Sequence, residues 1–298
     1  MKGIVLAAGA GTRLYPASQP ISKILLPIYD KPMIYYPLST LMLAGIKDIL
    51  VITNESDYDN FIKLLGDGSQ YGINLSYRIQ YVQRGISDAF IIAEDYIAGD
   101  DVALILGDNI FHGHGFSTIM KHAIENNTGA TIFGYTVKDP ERFGVVEFDK
   151  NKKAISLEEK PANPKSNYAV TGLYFYDGNV CDYVKQLKPS ARGELEITDL
   201  NKIYLNNGQL NVEILGRGFA WLDTGTHDSM LQASQFVQTM ELNKGVKISC
   251  LEEIAYNQGF ISKSDLLNKI EKYGYKNDYY NYVRTAIETT DSAIVNAV

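Results

Sequence analysis

An α/β fold is expected: a Rossmann-like, mostly parallel sheet flanked by helices, with an extension of small strands and a C-terminal helical appendage. Three observations predict it. Short apolar runs alternate with helix-length stretches through residues 2–106, the rhythm of strand–helix–strand crossovers whose parallel strands are buried on both faces. From residue 130 to 176 the pattern changes to short strands separated by polar turns. Beyond His227 the chain turns largely helical and polar. The one boundary drawn lies there, between a core over 1–226, in parts of about 1–129 and 130–226, and a helical region over 227–298.

Residues 2–6 read as a buried strand that stops at Ala7-Ala8-Gly9-Ala10-Gly11-Thr12-Arg13-Leu14. A helix over 33–44 ends at Gly45, a strand follows over 48–53, and a helix over 58–65 runs into Gly66-Asp67-Gly68. Alternation predicts a strand over 75–80, then a helix over 86–96 and an apolar strand over 101–106 that stops at Gly107-Asp108. Strands over 131–137, 145–149, 154–158 and 169–176 are expected to extend the sheet and cover a pocket. Helices over 180–187 and 197–206 and a strand over 210–215 complete the core; the tail carries helices over 230–242, 264–273 and 279–289. Ligands of such sheets sit at the carboxyl ends of strands, which places residues 7–13 beside Gly107-Asp108.

With 298 residues the chain can bury a large core. Hydrophobic residues at 45% and charged ones at 21% are those of an ordinary globular protein. A net charge of -7 argues against a general nucleic-acid or anionic-membrane surface, so an anionic ligand must be met by local cations. Cys181 and Cys250 lack metal spacing and read as reduced, half-buried thiols. No stretch approaches the roughly 20 apolar residues of a membrane span, and no export signal precedes the first strand, so a cytoplasmic protein is expected.

The first loop suits phosphate. Its glycines and small alanines let a ligand approach the backbone, and turn amides can point at anionic oxygens. Arg13 follows at once, and Lys23 stands further on in Ile21-Ser22-Lys23. A Walker-type loop would need Gly-Lys-Ser/Thr where Gly11-Thr12-Arg13 stands. The dinucleotide fingerprint needs a third glycine where Leu14 stands, and Asp30 lies in a turn rather than at a strand end. Glycine-rich loops after strands are common, so the loop alone leaves phosphate binding and a plain turn both open. Asp108 and Asp223 each end an apolar run before a turn, and either alone reads as a turn or cap aspartate. Glu159 and Lys160, before Pro161, read equally as a solvated charge pair.

Taken together, the motifs resemble a known family. Leu6 to Leu14, Ser22-Lys23, Leu26-Pro27 and Lys31-Pro32-Met33-Ile34 open the match. It continues through Leu106-Gly107-Asp108-Asn109, Arg142-Phe143-Gly144-Val145-Val146, Glu158-Glu159-Lys160-Pro161 and Tyr168 to Tyr174. Arg192 to Asp199 and Trp221-Leu222-Asp223-Thr224-Gly225-Thr226-His227 close it. In this order they resemble the sugar-phosphate nucleotidylyltransferases, specifically the long, feedback-regulated glucose-1-phosphate thymidylyltransferase branch.

The resemblance implies Mg²⁺-dependent transfer from dTTP to glucose 1-phosphate, giving dTDP-glucose and pyrophosphate at the head of dTDP-deoxysugar (for example dTDP-rhamnose) biosynthesis. A phosphate nucleophile is already ionised, so catalysis should rest on positioning and electrostatics, each well-aimed group contributing about 2.7–4 kcal/mol. By the same resemblance Ala8, Gly9, Gly11, Thr12 and Arg13 hold the nucleotide phosphates, and Arg13, Lys23 and Lys160 are the catalytic cations. Asp108 and Asp223 hold the metal, as suits Mg²⁺ with phosphate oxygens and water. Lys160 and Arg192 contact the sugar phosphate, Glu159 accepts from sugar hydroxyls, Gly144 and Val170 offer backbone groups and Tyr174 walls the site. Gln80 and the backbone of Gly85 read the base, whose imide edge is shared by thymine and uracil, so some UTP use is expected.

Gly113, Arg217, Gly218, Glu253 and Ile254 match a regulatory dTDP-sugar site between the subunits of a homotetramer built from dimers. His112, Ser117 and Asn257 depart from it, which implies altered affinity; Ile24, Ser87 and Asp88 depart near the nucleotide. His112 and His114, flanked by glycines, read as surface or interface residues rather than metal ligands. The tail aromatics Phe236, Tyr256, Phe260, Tyr273, Tyr275, Tyr279, Tyr280 and Tyr282 suggest a buried contact. The rival readings are a uridylyl- or other nucleotidylyltransferase of the same fold and a catalytically silent sugar-nucleotide sensor.

Overall fold

The computed structural model describes residues 1–151, 153–273 and 277–290. Tyr275 and residues 291–298 of the expected tail lie outside the described residues, as does the side chain of Tyr273. The strands are β1 (Lys2–Ala7), β2 (Pro27–Ile28), β3 (Lys31–Pro32), β4 (Asp48–Thr53), β5 (Asn74–Ile79), β6 (Val102–Leu106) and β7 (Asn109–Gly113). They continue with β8 (Ala130–Thr136), β9 (Gly144–Phe148), β10 (Ala154–Glu159), β11 (Tyr168–Tyr176), β12 (Leu210–Ile214) and β13 (Phe219–Asp223).

The parallel half of the main sheet runs β6-β1-β4-β5. Ile4 and Val5 of β1, and Ile49 to Ile52 of β4, are buried on both faces, which is why these strands read as unbroken apolar runs. β5 is the edge, and its alternating sequence reflects a half-exposed strand. Beyond β6 the sheet becomes antiparallel: β11 pairs β6, then β9 and β8, with an irregularity between Val170 and Tyr174. β10 extends β9 and β12 pairs β8, which builds the expected small-strand extension.

Helix Tyr35–Leu43 is buried almost all round and ends in a Schellman turn: Gly45 (φ 84°) donates to the Met42 carbonyl and Ile46 to that of Leu41. The single helix expected over 86–96 is two, Asp88–Ile92 and Glu94–Ile97. Arg78 Nη1 donates to the Ile92 carbonyl at 2.8 Å, taking the acceptor that a continuous helix would use. Helix Phe116–Glu125 and strands β7 and β13 fall where no element was expected. Those two strands form a separate antiparallel ribbon, with Asp223 opposite Asn109 at one end and Phe219 opposite Gly113 at the other.

Helix His227–Lys244 starts at a capping box, Thr226 Oγ1 accepting from the Ser229 amide while the Thr226 amide donates to Ser229 Oγ. Its Ala233 and Val237, with Leu251 and Ala255 of helix Leu251–Asn257, join the core that covers one face of the sheet. Helices Lys263–Tyr273 and Asp278–Thr290 pack on a small cluster of their own, Leu266, Ile270, Val283 and Ile287 with Cys250. Cys181 and Cys250 are free thiols, and both are buried rather than half-buried because each fills an apolar cluster.

Candidate active site

Leu6 and Leu106 end paired strands, and the Gly107 amide donates to the Leu6 carbonyl at 2.9 Å. The first loop and Asp108 therefore leave the sheet side by side. Gly11 adopts φ 62°, and a side chain there would press on Lys23 and Ser18, so the tight turn into Thr12–Leu14 favours glycine. Lys23 is set by its predecessor: the Ser22 amide donates to buried Asp57 Oδ1 at 2.9 Å, and Ser22 Oγ accepts from Ile24. Its ammonium forms an ion pair with Asp108 Oδ2.

Asp108 is aimed by Asn109. The Asn109 Oδ1 accepts from the Gly172 amide (3.0 Å) and from Trp221 Nε1 (2.6 Å), so its Nδ2 faces Asp108 Oδ1 at 3.0 Å. Gly172 permits this, since a Cβ there would stand 2.6 Å from Asn109 Oδ1. Asp223 is carried to the same place by the ribbon, and the Thr224 amide and hydroxyl both donate to the Asp108 carbonyl. Burial and the Asp108 charge push the Asp223 carboxyl up to about 6, against the pull of Lys23, Arg13 and Arg142. Burial also opposes ionisation of Asp108, but the Lys23 charge and hydrogen bond outweigh it and hold that carboxyl below its ordinary value. Two carboxylates this close favour a shared cation.

Asp108, Asp223 and Arg13 line a cavity of about 260 Å³ together with Gly144, Glu159, Lys160, Val170 and Tyr174. Glu159 ends β10, where Thr198 Oγ1 donates to its Oε2 at 2.5 Å and Arg192 Nη2 stands 3.4 Å from its Oε1. Lys160, next along, takes φ 43°, a sparsely populated conformation for a side-chain-bearing residue, while its amide bonds the Phe143 carbonyl. A Cβ on Gly144 would reach Thr198, Glu159 and Val170 and fill this end of the cavity. Arg192 pairs chiefly with Glu196 (2.8 Å) and lies at the rim rather than in the lining.

Lys23, Ala8, Gly9, Gly11 and Thr12 also lie outside the lining and form the loop beside it. Gln80 and Gly85 belong to the adjoining end of the sheet, where Gln83 Nε2 donates to the Ala8 carbonyl at 2.9 Å and ties that loop to the first. The cavity includes residues to which no role was assigned: Arg142, Phe143, Thr198 and Trp221. Arg142, bonded to Asp139 and stacked over Phe143, turns a charge toward Asp223; Trp221 packs on Phe143 at 5.1 Å. All four stand inside quoted motifs, so the available signal was their position beside the assigned residues.

Gly113, Arg217 and Gly218 gather at the far end of the ribbon from Asp223. Glu253 and Ile254 lie on helix Leu251–Asn257, where Ile254 is buried and Glu253 Oε2 accepts from Tyr282 at 2.7 Å. His112 is packed edge-on against Phe236, and burial keeps it below the usual histidine range.

Cations and two carboxylates gathered around one cavity at the edge of an α/β sheet suit a nucleotidyl transferase, and residues 2–240 match the family profile of that description. Among relatives, a glucose-1-phosphate thymidylyltransferase of Neisseria meningitidis serogroup A is 58% identical over 95% of this chain and 98% of its own length. One of Mycolicibacterium smegmatis is 56% identical over 95% of this chain and 98% of its own. The chain belongs to the glucose-1-phosphate thymidylyltransferase family. A Bacillus anthracis protein crystallised with a sucrose superposes with a TM-score of 0.73 at 43% identity, covering 79% of this chain and 94% of the other.

Proposed function

We propose that this protein transfers a thymidylyl group from dTTP to glucose 1-phosphate, giving dTDP-glucose and releasing pyrophosphate. The observation that carries the reading is the meeting of Arg13 and Lys160 with Asp108 and Asp223 around one cavity. A phosphate oxygen of the sugar attacks the α-phosphorus while its bond to pyrophosphate breaks. Arg13, Lys23 and the amides of Ala8, Gly9, Gly11 and Thr12 spread the triphosphate charge, and Lys160 and Arg192 hold the sugar phosphate. Glu159 takes sugar hydroxyls, Gly144 and Val170 present backbone groups, and Tyr174 closes the wall.

Asp108 and Asp223 suit Mg²⁺: both donors are carboxylate oxygens, and the Asp108 charge raises the cost of ionising Asp223. When bound, the ion neutralises charge on the phosphates and the departing pyrophosphate. Gln80 and Gly85 read the base. Gly113, Arg217, Gly218, Glu253 and Ile254 form a second, regulatory site for a dTDP-sugar in a homotetramer acting in the cytoplasm for dTDP-deoxysugar synthesis. Among the described residues no helix is long and apolar enough to cross a membrane.

A pyrophosphate-release assay pairing each nucleoside triphosphate with several hexose 1-phosphates, with and without Mg²⁺, tests this. The pair dTTP and glucose 1-phosphate should give the highest kcat/KM, with UTP weaker. UTP ahead of dTTP would assign a uridylyltransferase, and release with no pair would assign a sensor. Added dTDP-rhamnose should inhibit only weakly, because His112, Ser117 and Asn257 depart from the expected site.

A further inference from the structure

Gln80 stands at the carboxyl end of β5, its amide bonded to the Thr53 carbonyl at 2.8 Å, and it is 6% exposed. Its side-chain Nε2 donates to Asp88 Oδ2 at 2.9 Å. Asp88 opens helix Asp88–Ile92 and is 1% exposed, and Arg84 Nη2 lies 2.9 Å from its other oxygen. The Arg84 carbonyl accepts from the Leu195 amide, which fixes its backbone while the side chain stays half-exposed. A buried carboxylate is expensive, and although Arg84 brings a counter-charge, Asp88 Oδ1 makes no hydrogen bond, so the Gln80 amide is the side-chain donor that satisfies this group.

The chemistry of the contact fixes more than a position. A carboxylate only accepts, so it must face the NH₂ of Gln80; turning the amide over would set Oε1 against a carboxylate oxygen. The remaining Nε2 hydrogen and Oε1 then stand as a donor and an acceptor in one fixed order. A thymine or uracil imide edge, N3–H beside a carbonyl, fits that order, whereas cytosine, N3 beside an amino group, fits its reverse. We infer that Asp88, held by Arg84, is a positioning residue that locks the Gln80 amide and so selects imide pyrimidines against cytosine. This rests on the reading of Gln80 as the base contact in the proposed reaction.

The test measures kcat/KM for dTTP and dCTP, with glucose 1-phosphate, in the full-length wild type and in Asp88→Ala and Asp88→Asn. A correctly placed hydrogen-bonding pair discriminates by about 1–3 kcal/mol, so Asp88→Ala should lower the dTTP/dCTP ratio about tenfold or more, with dCTP use rising in absolute terms. Asp88→Asn should lose the ratio as well, because its amide can donate to Oε1 as readily as it accepts from Nε2 and so lets Gln80 turn over. An Asp88→Ala or Asp88→Asn enzyme that keeps the wild-type ratio overturns the inference. Should Asp88→Ala not fold, Arg84→Ala, a change at a half-exposed side chain, carries the test: the ratio should fall about threefold, and an unchanged ratio refutes the lock. A wild type that releases no pyrophosphate from dTTP strikes the proposed function instead, and the two failures are thereby distinct.

Discussion

Asp223 carries its proton to about 6 in the folded chain and to about 3.8 when unfolded, so between those values the folded state binds more protons. The contribution of this group to the stability of the metal-free protein therefore falls as pH rises from about 4 to about 6 and stays at the lower level above it. The shift corresponds to something on the order of 3 kcal/mol. Asp223→Asn should consequently melt higher than wild type in chelator at pH 8, with the gap closing toward pH 4; equal melting at both pH values would refute the account. A second prediction concerns Gly172. Alanine there would bring a Cβ to 2.6 Å from Asn109 Oδ1, displacing the amide that aims Asp108. Gly172→Ala should cost about tenfold or more in kcat and also lower the melting temperature, since the same Cβ would stand 2.8 Å from Leu106, measured by steady-state kinetics beside a thermal scan. A variant with normal kcat would remove Asn109 from the argument.

At the level of elements, a buried charge cluster fastens helix His227–Lys244 to the β2–β3 hairpin. Glu241 Oε1 accepts from Lys31 Nζ at 3.0 Å and from the Ile248 amide at 2.9 Å, and its other oxygen faces Lys247 at 3.3 Å. Lys31 is 3% exposed, so Glu241→Ala strands a buried ammonium and an amide. The expected loss is about 3 kcal/mol by chemical denaturation, at the low end for a broken buried pair because Asp30 still meets Lys31. Loss under about 1 kcal/mol would mean that the cluster is solvated. Some elements could be read directly: Tyr58–Leu65 and Ile197–Asn206 have the bounds their periodicity implies. The break in the helix after Ile92 could not, because it coincides with a contact from the Arg78 guanidinium of β5 that only packing brings there.

For the molecule as a whole, cohesion falls off toward the C-terminus. Helix Leu251–Asn257 shares the main core through Leu251 and Ala255, whereas the following two helices rest on a small cluster of their own. Hydrogen exchange should therefore show Lys263–Tyr273 and Asp278–Thr290 opening at lower free energy than Leu251–Asn257, whose amides should approach global protection. Uniform protection across all three would show that the tail unfolds only with the core.

The candidate site divides along the same line. Arg13 and Asp108 could be placed side by side from the chain because loops that follow apolar strands must emerge at strand tips, whereas Lys160 read equally as part of a solvated charge pair and was singled out only by the resemblance of its motif. The pairing of Asp108 with Asp223 came from that resemblance alone, since its geometry depends on a ribbon pairing β7 with β13 across a long separation. The aiming of Asp108 by Asn109, Gly172 and Trp221, and of Gln80 by Asp88 and Arg84, was equally hidden. Sequence alone settled the class of fold, because apolar periodicity and turn chemistry are local properties. Tertiary structure alone decided which carboxylates repel one another and which amides are locked, because those depend on distances between segments that only packing brings together.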